Sequence, residues 1–122
     1  MIFTIKDSYR ADLNDLDALT RIDEQITSLE DGIEVLVFTD YHGPDDSFCS
    51  IAHATTEGLE GATIMIDDSM KHVGIKIKND QPLESVFRFI DSLVKDGKIK
   101  RAYLIDYIKK TEQSVEFLIS VE

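Results

Sequence analysis

Tryptophan is absent from this sequence, cysteine occurs once (Cys49), and there are only two prolines and six glycines in 122 residues. A lone cysteine excludes an internal disulfide and fits a reducing, cytoplasmic setting. Long apolar runs are missing too. No stretch approaches the roughly 20 residues that cross a bilayer, and Met1–Ile5, followed at once by Lys6 and Asp7, is too short for the apolar part of a secretory signal. There is no internal repeat, low-complexity tract or linker, and apolar residues recur from Met1 to Val121, which argues against a disordered tail. Basic side chains are the most telling scarcity: in residues 1–70 only Lys6, Arg10 and Arg21 stand against 16 acidic groups. The net charge is −13 over residues 1–70 and +2 over residues 71–122, making the −11 of the chain. Such a chain repels nucleic acid and anionic membrane and favours encounter with a basic protein.

What is present reads as one α+β domain over residues 1–122. Met1–Lys6 has the bulk of a short strand, and Asp7–Ala11 reads as a turn. A helix is expected from Asp12 as N-cap, with Leu13, Leu16, Leu19, Ile22, Ile26 and Leu29 at helical spacing and Gly32 as its stop. Ile33–Thr39 is a nearly continuous apolar strand, covered on both faces, and Phe48–Ala54 is its hairpin return across the Asp40–Asp46 loop. Thr55–Gly61 is a second turn. Ala62–Ile66 and Val73–Lys78 pair as a further hairpin about Asp67–Ser69, the latter strand with one wet face. A second helix starts near Gln81-Pro82, carries Leu83, Val86, Phe87, Ile90, Leu93 and Val94 as its stripe, and ends at Gly97. Arg101–Ile108 and Ser114–Val121 close the chain as a third hairpin about Lys109–Gln113. Short turns imply antiparallel neighbours, hence two helices packed on a mainly antiparallel sheet of about six to seven strands.

No motif for catalysis, cofactor or metal stands out. Cys49 and His53 sit four apart on a strand, about 13 Å at 3.3 Å per residue, too far for a thiol and its base. Asp40, Asp45 and Asp46, with His42 near, offer oxygen ligands but lack the calcium-loop spacing, and the histidines lack zinc spacing. Asp67 and Asp68 fit a hairpin tip better than an acid–base pair, and Gly58 and Gly61 make no phosphate loop. The basic group Lys98, Lys100, Arg101, Lys109 and Lys110 reads as a solvated strand end or a counterpart to acid within the chain.

The acidic turns remain. In an up-and-down meander the first and third turns share one end of the sheet, so Asp40, Asp45, Asp46, Asp67 and Asp68 are expected together there. Tyr41 and Phe48 would be the aromatic anchors of a partner-binding surface, and Glu57 and Glu60 would sit at the other end.

The order of elements also resembles the small cytoplasmic immunity proteins of bacterial polymorphic and contact-dependent toxin systems. The likeness is carried by an acidic helix with spaced leucines (Leu13–Leu29), then Ile75-Lys76-Ile77, Gln81-Pro82-Leu83-Glu84, Phe87–Val94, Gly97-Lys98 and Ala102–Tyr107. The chain departs from that group in lacking an aromatic tryptophan in the late strand. The resemblance implies stoichiometric neutralisation of a cognate toxin, a nuclease or deaminase, without catalysis or cofactor, and it transfers no residue role. Two alternatives stay open: an adaptor or subunit that oligomerises through a sheet edge, and a small ligand-binding domain or enzyme with a deep pocket holding two or more of Asp40, His42, Cys49 and Tyr103.

Overall fold

In the computed structural model, which describes residues 1–58, 60–78 and 80–122, two helices lie on one seven-stranded sheet in which every neighbouring pair is antiparallel. The α+β class is therefore as expected. The strands are β1 (Ile2–Asp12), β2 (Glu34–Thr39), β3 (Phe48–Thr55), β4 (Thr63–Met65), β5 (Lys71–Ile77), β6 (Asp106–Lys110) and β7 (Val115–Val121). The helices are α1 (Leu16–Ser28) and α2 (Leu83–Lys95).

The strand order β4-β1-β3-β2-β6-β7-β5 corrects the expected meander. The hairpins β2–β3 and β6–β7 form. The hairpin between Ala62–Ile66 and Val73–Lys78 does not: β4 pairs with β1 and β5 with β7, at opposite edges of the sheet. Sequence distance misled here because β1 reaches back to lie between β3 and β4. The second turn contains Leu59, which lies outside the described residues.

Only five residues, 66–70, join those two edge strands. Across a flat sheet the edges would be six spacings of ~4.8 Å apart, about 29 Å. Six extended Cα–Cα steps cover about 22 Å. The sheet must therefore curl, and it curls around Phe3, Val35, Val37, Ala52, Ala54, Ile66 and Tyr107, which form one core cluster. The Phe3 and Tyr107 rings, from strands three places apart, meet with centroids 5.5 Å apart. The small side chains of Ala52 and Ala54 leave room for that closure. On the opposite face, Leu19, Ile22 and Ile26 of α1 and Leu83, Val86 and Ile90 of α2 cover Leu36, Phe38, Ile51, Ile108 and Ile119 in a second core. β2, central and covered on both faces, is buried from Glu34 to Phe38, as its apolar run implied.

Several boundaries differ from the sequence reading. Asp7–Ala11 is not a turn, because β1 runs on to Asp12 alongside β3. A bulge between Ile5 and Asp7 reverses the facing, so that Ile5 packs in the curled core whereas Tyr9 and Ala11 pack under the helices. That phase change hides the strand's alternation. Consequently α1 begins a turn later than expected, with Asp15 as N-cap accepting the Asp17 N–H at 3.1 Å, and it ends at Ser28, before Gly32. At the other end of the chain, residues 101–105 are irregular, β6 starts only at Asp106, and Tyr103 has a left-handed φ of 54°. α2 lies as expected, with Pro82 at its N-cap and Gly97 (φ 72°) just past its end.

Truncating Phe3, which is fully buried between β1 and the edge link, is expected to destabilise the fold by about 3–5 kcal/mol. Urea unfolding of Phe3→Ala measures this; a loss under about 1 kcal/mol would show that the curled core does not hold the sheet closed.

Candidate functional site

The corner between β1 and α1 is tied to the β2–β3 loop. Leu13 N–H donates to the Ser47 carbonyl at 3.1 Å, and Asn14 Nδ2 donates to Ser47 Oγ at 2.9 Å and to the Pro44 carbonyl at 3.3 Å. The Asp12 carboxylate accepts the Asn14 N–H at 2.9 Å and a short hydrogen bond from the Ser47 hydroxyl. The Ser47 and Asn14 hydrogen bonds hold the Asp12 carboxyl below the usual carboxylate range. The loop itself turns on Asp40 (φ 60°) and Gly43 (φ 132°), with Asp46 N–H donating to the Gly43 carbonyl.

These bonds gather Asp12, Asp15, Asp17, Asp40, Asp45 and Asp46 at one end of the sheet. Asp12 and Asp15 serve as turn and cap, while Asp17, Asp45 and Asp46 point their charge at solvent. Arg10 reaches this end: it lies 3.4 Å from Asp40, donates to Ser50 at 3.0 Å and stacks over the Phe48 ring at 5.1 Å. Phe48 is 48% exposed. The carboxylates are spread along the rim, and among the described residues no three acidic, histidine or cysteine groups converge as a metal site.

The expected surface is thus formed only in part. Asp40, Asp45 and Asp46 share it. Asp67 and Asp68 do not: they sit in the link between the sheet edges, where Ile66 N–H donates to the Met1 carbonyl, and Asp67 accepts the Ser69 N–H at 2.8 Å. β1 runs from that end to the Ser47 end, and its 11 residues span on the order of 35 Å. Tyr41 is no exposed anchor either. It is buried, with Arg101 over its ring at 4.8 Å, and burial pushes its hydroxyl up to about 12.

Against Tyr41 lies the feature least visible in the sequence. Arg101 and Asp106, at 5% and 4% side-chain exposure, form an ion pair at 2.7 Å, and Arg101 also stacks on Tyr103 at 5.0 Å. Asp106 accepts the Ser120 N–H at 2.7 Å and its hydroxyl at 3.0 Å. This pair fastens the irregular residues 101–105 and the start of the acidic loop to β7. The cavity beside it, bounded also by Phe87 and Asp91, is about 10 Å³, the size of one water. Burial raises the Asp91 carboxyl above its usual range, against the pull of Arg101.

A second buried carboxylate, Glu34, bonds to Lys6 at 2.5 Å and to the Glu30 N–H at 2.9 Å, with His53 Nε2 at 3.1 Å. Burial raises it, but Lys6, the Glu30 amide and His53 outweigh that and leave it below its ordinary value. The sequence signal for both carboxylates is a charge set inside an apolar run, in Ile33-Glu34-Val35 and Ile105-Asp106-Tyr107.

The other candidates are dispersed. Cys49 is fully buried, and burial pushes its thiol up to about 12, so it is no ready nucleophile. His53 faces Glu34, and His72 Nε2 is 2.8 Å from the Ile105 carbonyl. In the basic group, Lys100 pairs with Glu122 at 2.9 Å and Lys110 caps the Thr27 carbonyl at 2.9 Å, while Arg101 is internal. No helix among the described residues is long and apolar enough to cross a membrane. Comparison with protein-family models, curated proteins and solved structures returns no match for this chain.

Asp106→Ala leaves Arg101 buried and uncompensated, so a loss of about 3–5 kcal/mol is expected in denaturant unfolding; a loss below about 1 kcal/mol would show the pair to be dispensable. Glu34 stabilises the fold through its lowered value. Its contribution is complete above its usual 4.5 and fades as pH falls through the folded value. The gap in urea midpoint between wild type and Glu34→Gln should therefore hold from about pH 7 to about pH 5 and narrow by about pH 3. A constant gap over that range contradicts this assignment.

Proposed function

We propose that the chain is a non-catalytic binding protein of the immunity or antitoxin kind, which neutralises a basic toxin, a nuclease or deaminase, by direct contact in the cytoplasm. The observation that carries this reading is the acidic end of the sheet, where Asp17, Asp40, Asp45 and Asp46 are exposed and Arg10 meets both Asp40 and the Phe48 ring. The Ser47 and Asn14 hydrogen bonds hold the backbone that carries Asp45 and Asp46, and a negative face of this kind speeds association with a positive one. The element order shared with toxin-immunity proteins favours the same reading. Cys49, one of the groups on which the small-enzyme alternative rests, is fully buried.

One observation favours a second reading, an adaptor that assembles through a sheet edge. Ile2 and Met65 are directly paired at the β4 edge and are 57% and 66% exposed. On that reading light scattering finds a stable oligomer at micromolar concentration. Lys71 and Lys76 on the other edge strand, β5, discourage strand addition there.

A pull-down from the native host is expected to recover a basic protein in one-to-one complex, with an on-rate that falls as salt rises from about 50 to about 500 mM. Asp45→Lys with Asp46→Lys should slow association about tenfold or more while leaving the thermal midpoint nearly unchanged. Recovery of no basic protein contradicts the function; a salt-sensitive complex indifferent to the double variant contradicts only the surface.

A further inference from the structure

α1 and α2 lie on the same sheet face yet approach each other sparsely, and the space between them is open. Near the acidic end it is a cleft of about 170 Å³, bounded by Asn14, Leu16, Leu19, Glu84 and Asp91 among others. Leu16, Leu19 and Glu84 also bound the next cleft, of about 290 Å³, with Asp23 and Leu83. Asp23 and Pro82 then carry over to a third, of about 470 Å³, that reaches Ile77 and Val115. Because neighbouring clefts share residues, they form one trough along α1, whose 13 residues rise about 20 Å.

The trough is amphipathic in a particular sense. Its apolar side is Leu19 and Leu83, buried at the floor, and Leu16, which is 64% exposed on the first turn of α1. A single exposed leucine requires no explanation, but this one stands over an apolar floor at the mouth of a groove. The charged lining is mostly acidic, with Asp23, Asp80, Glu84 and Asp91 against two cations, Lys78 and Arg88, of which Arg88 is bound to Glu84 at 2.6 Å. Asn14 lies both in this trough and in the hydrogen bonds that fix the acidic end, so the two surfaces are continuous.

We infer that the trough receives a basic amphipathic segment of the partner protein. Its apolar side chains lie against Leu16, Leu19 and Leu83, and its lysines or arginines meet Asp23, Glu84 and Asp91. The charge complementarity selects a basic occupant, and the length suits a helix of about 13 residues laid in a groove. This rests on the proposed binding of a basic protein and names the part of that partner which gives the contact its depth.

The test uses a synthetic peptide of about 14 leucines and lysines with leucine at helical spacing, beside a composition-matched scramble. Each is titrated into the isotope-labelled protein at low salt, with affinity from fluorescence anisotropy. The ordered peptide should shift the amides of residues 16–23 and 83–91, bind more tightly than the scramble, and lose about tenfold or more in affinity with Leu16→Asp. Leu16 is exposed, so circular dichroism of that variant should match wild type. If ordered and scrambled peptides bind alike, or if Asp45→Lys with Asp46→Lys abolishes binding that Leu16→Asp leaves intact, the trough is not the site and the acidic-end reading stands alone. If neither peptide binds, the trough proposal fails, while the basic-partner reading is decided separately by the pull-down. Self-association lost in Leu16→Asp would make a second copy of the chain the occupant and overturn the proposal.

Discussion

The five residues from Ile66 to Met70 join strands at opposite edges of a seven-stranded sheet, and that demand shapes the rest of the molecule. A link of this length is satisfied only when the edges are brought toward each other, so the sheet closes over Phe3, Val37 and Tyr107 on one side. The other side is left convex and apolar, and two helices cover it. On that side α1 and α2 approach each other sparsely, and the trough lies between them.

The same arrangement distributes the charge. Most acidic side chains stay in water, where they cost little. The two that are buried, Glu34 and Asp106, each have a cation and a backbone amide at hydrogen-bond distance. A buried carboxylate without such partners would be strongly unfavourable. Here each one fastens a segment that lacks regular structure: Glu34 holds the residues after α1, and Asp106, through Arg101 and Tyr41, holds the base of the acidic loop. The exposed acid is therefore presented from a supported frame.

Much of the local structure was legible in the sequence. The buried run Glu34–Phe38, the Gly43-Pro44 loop, the stripe of α2 and the β6–β7 hairpin follow from periodicity and turn chemistry between near neighbours. The errors about β1 and β4 share one cause. The continuation of β1 through Ser8 and Arg10 was obscured by a bulge that shifts its phase, and without that strand the space beside β3 looked free for β4. The acidic surface followed the same fate. Asp40, Asp45 and Asp46 were visible as a loop, but Asp12, Asp15 and Asp17 join them only because Leu13 and Asn14 bond to Ser47 and Pro44. Asp67 and Asp68 lie far off because β1 separates them.

The sequence by itself determined the α+β class, the two amphipathic helices, the doubly covered central strand and the concentration of negative charge in residues 1–70. All of these are set by side-chain chemistry over a few consecutive residues. Only the tertiary structure decided the strand order, the curl, the place of each acidic turn, the burial of Tyr41 beneath Arg101 and the open trough. Each of those depends on residues tens of positions apart meeting in space, as Arg10 meets Ser50 and Ile2 meets Met65. Such pairings are chosen by the closure of the whole sheet, and no local pattern encodes them.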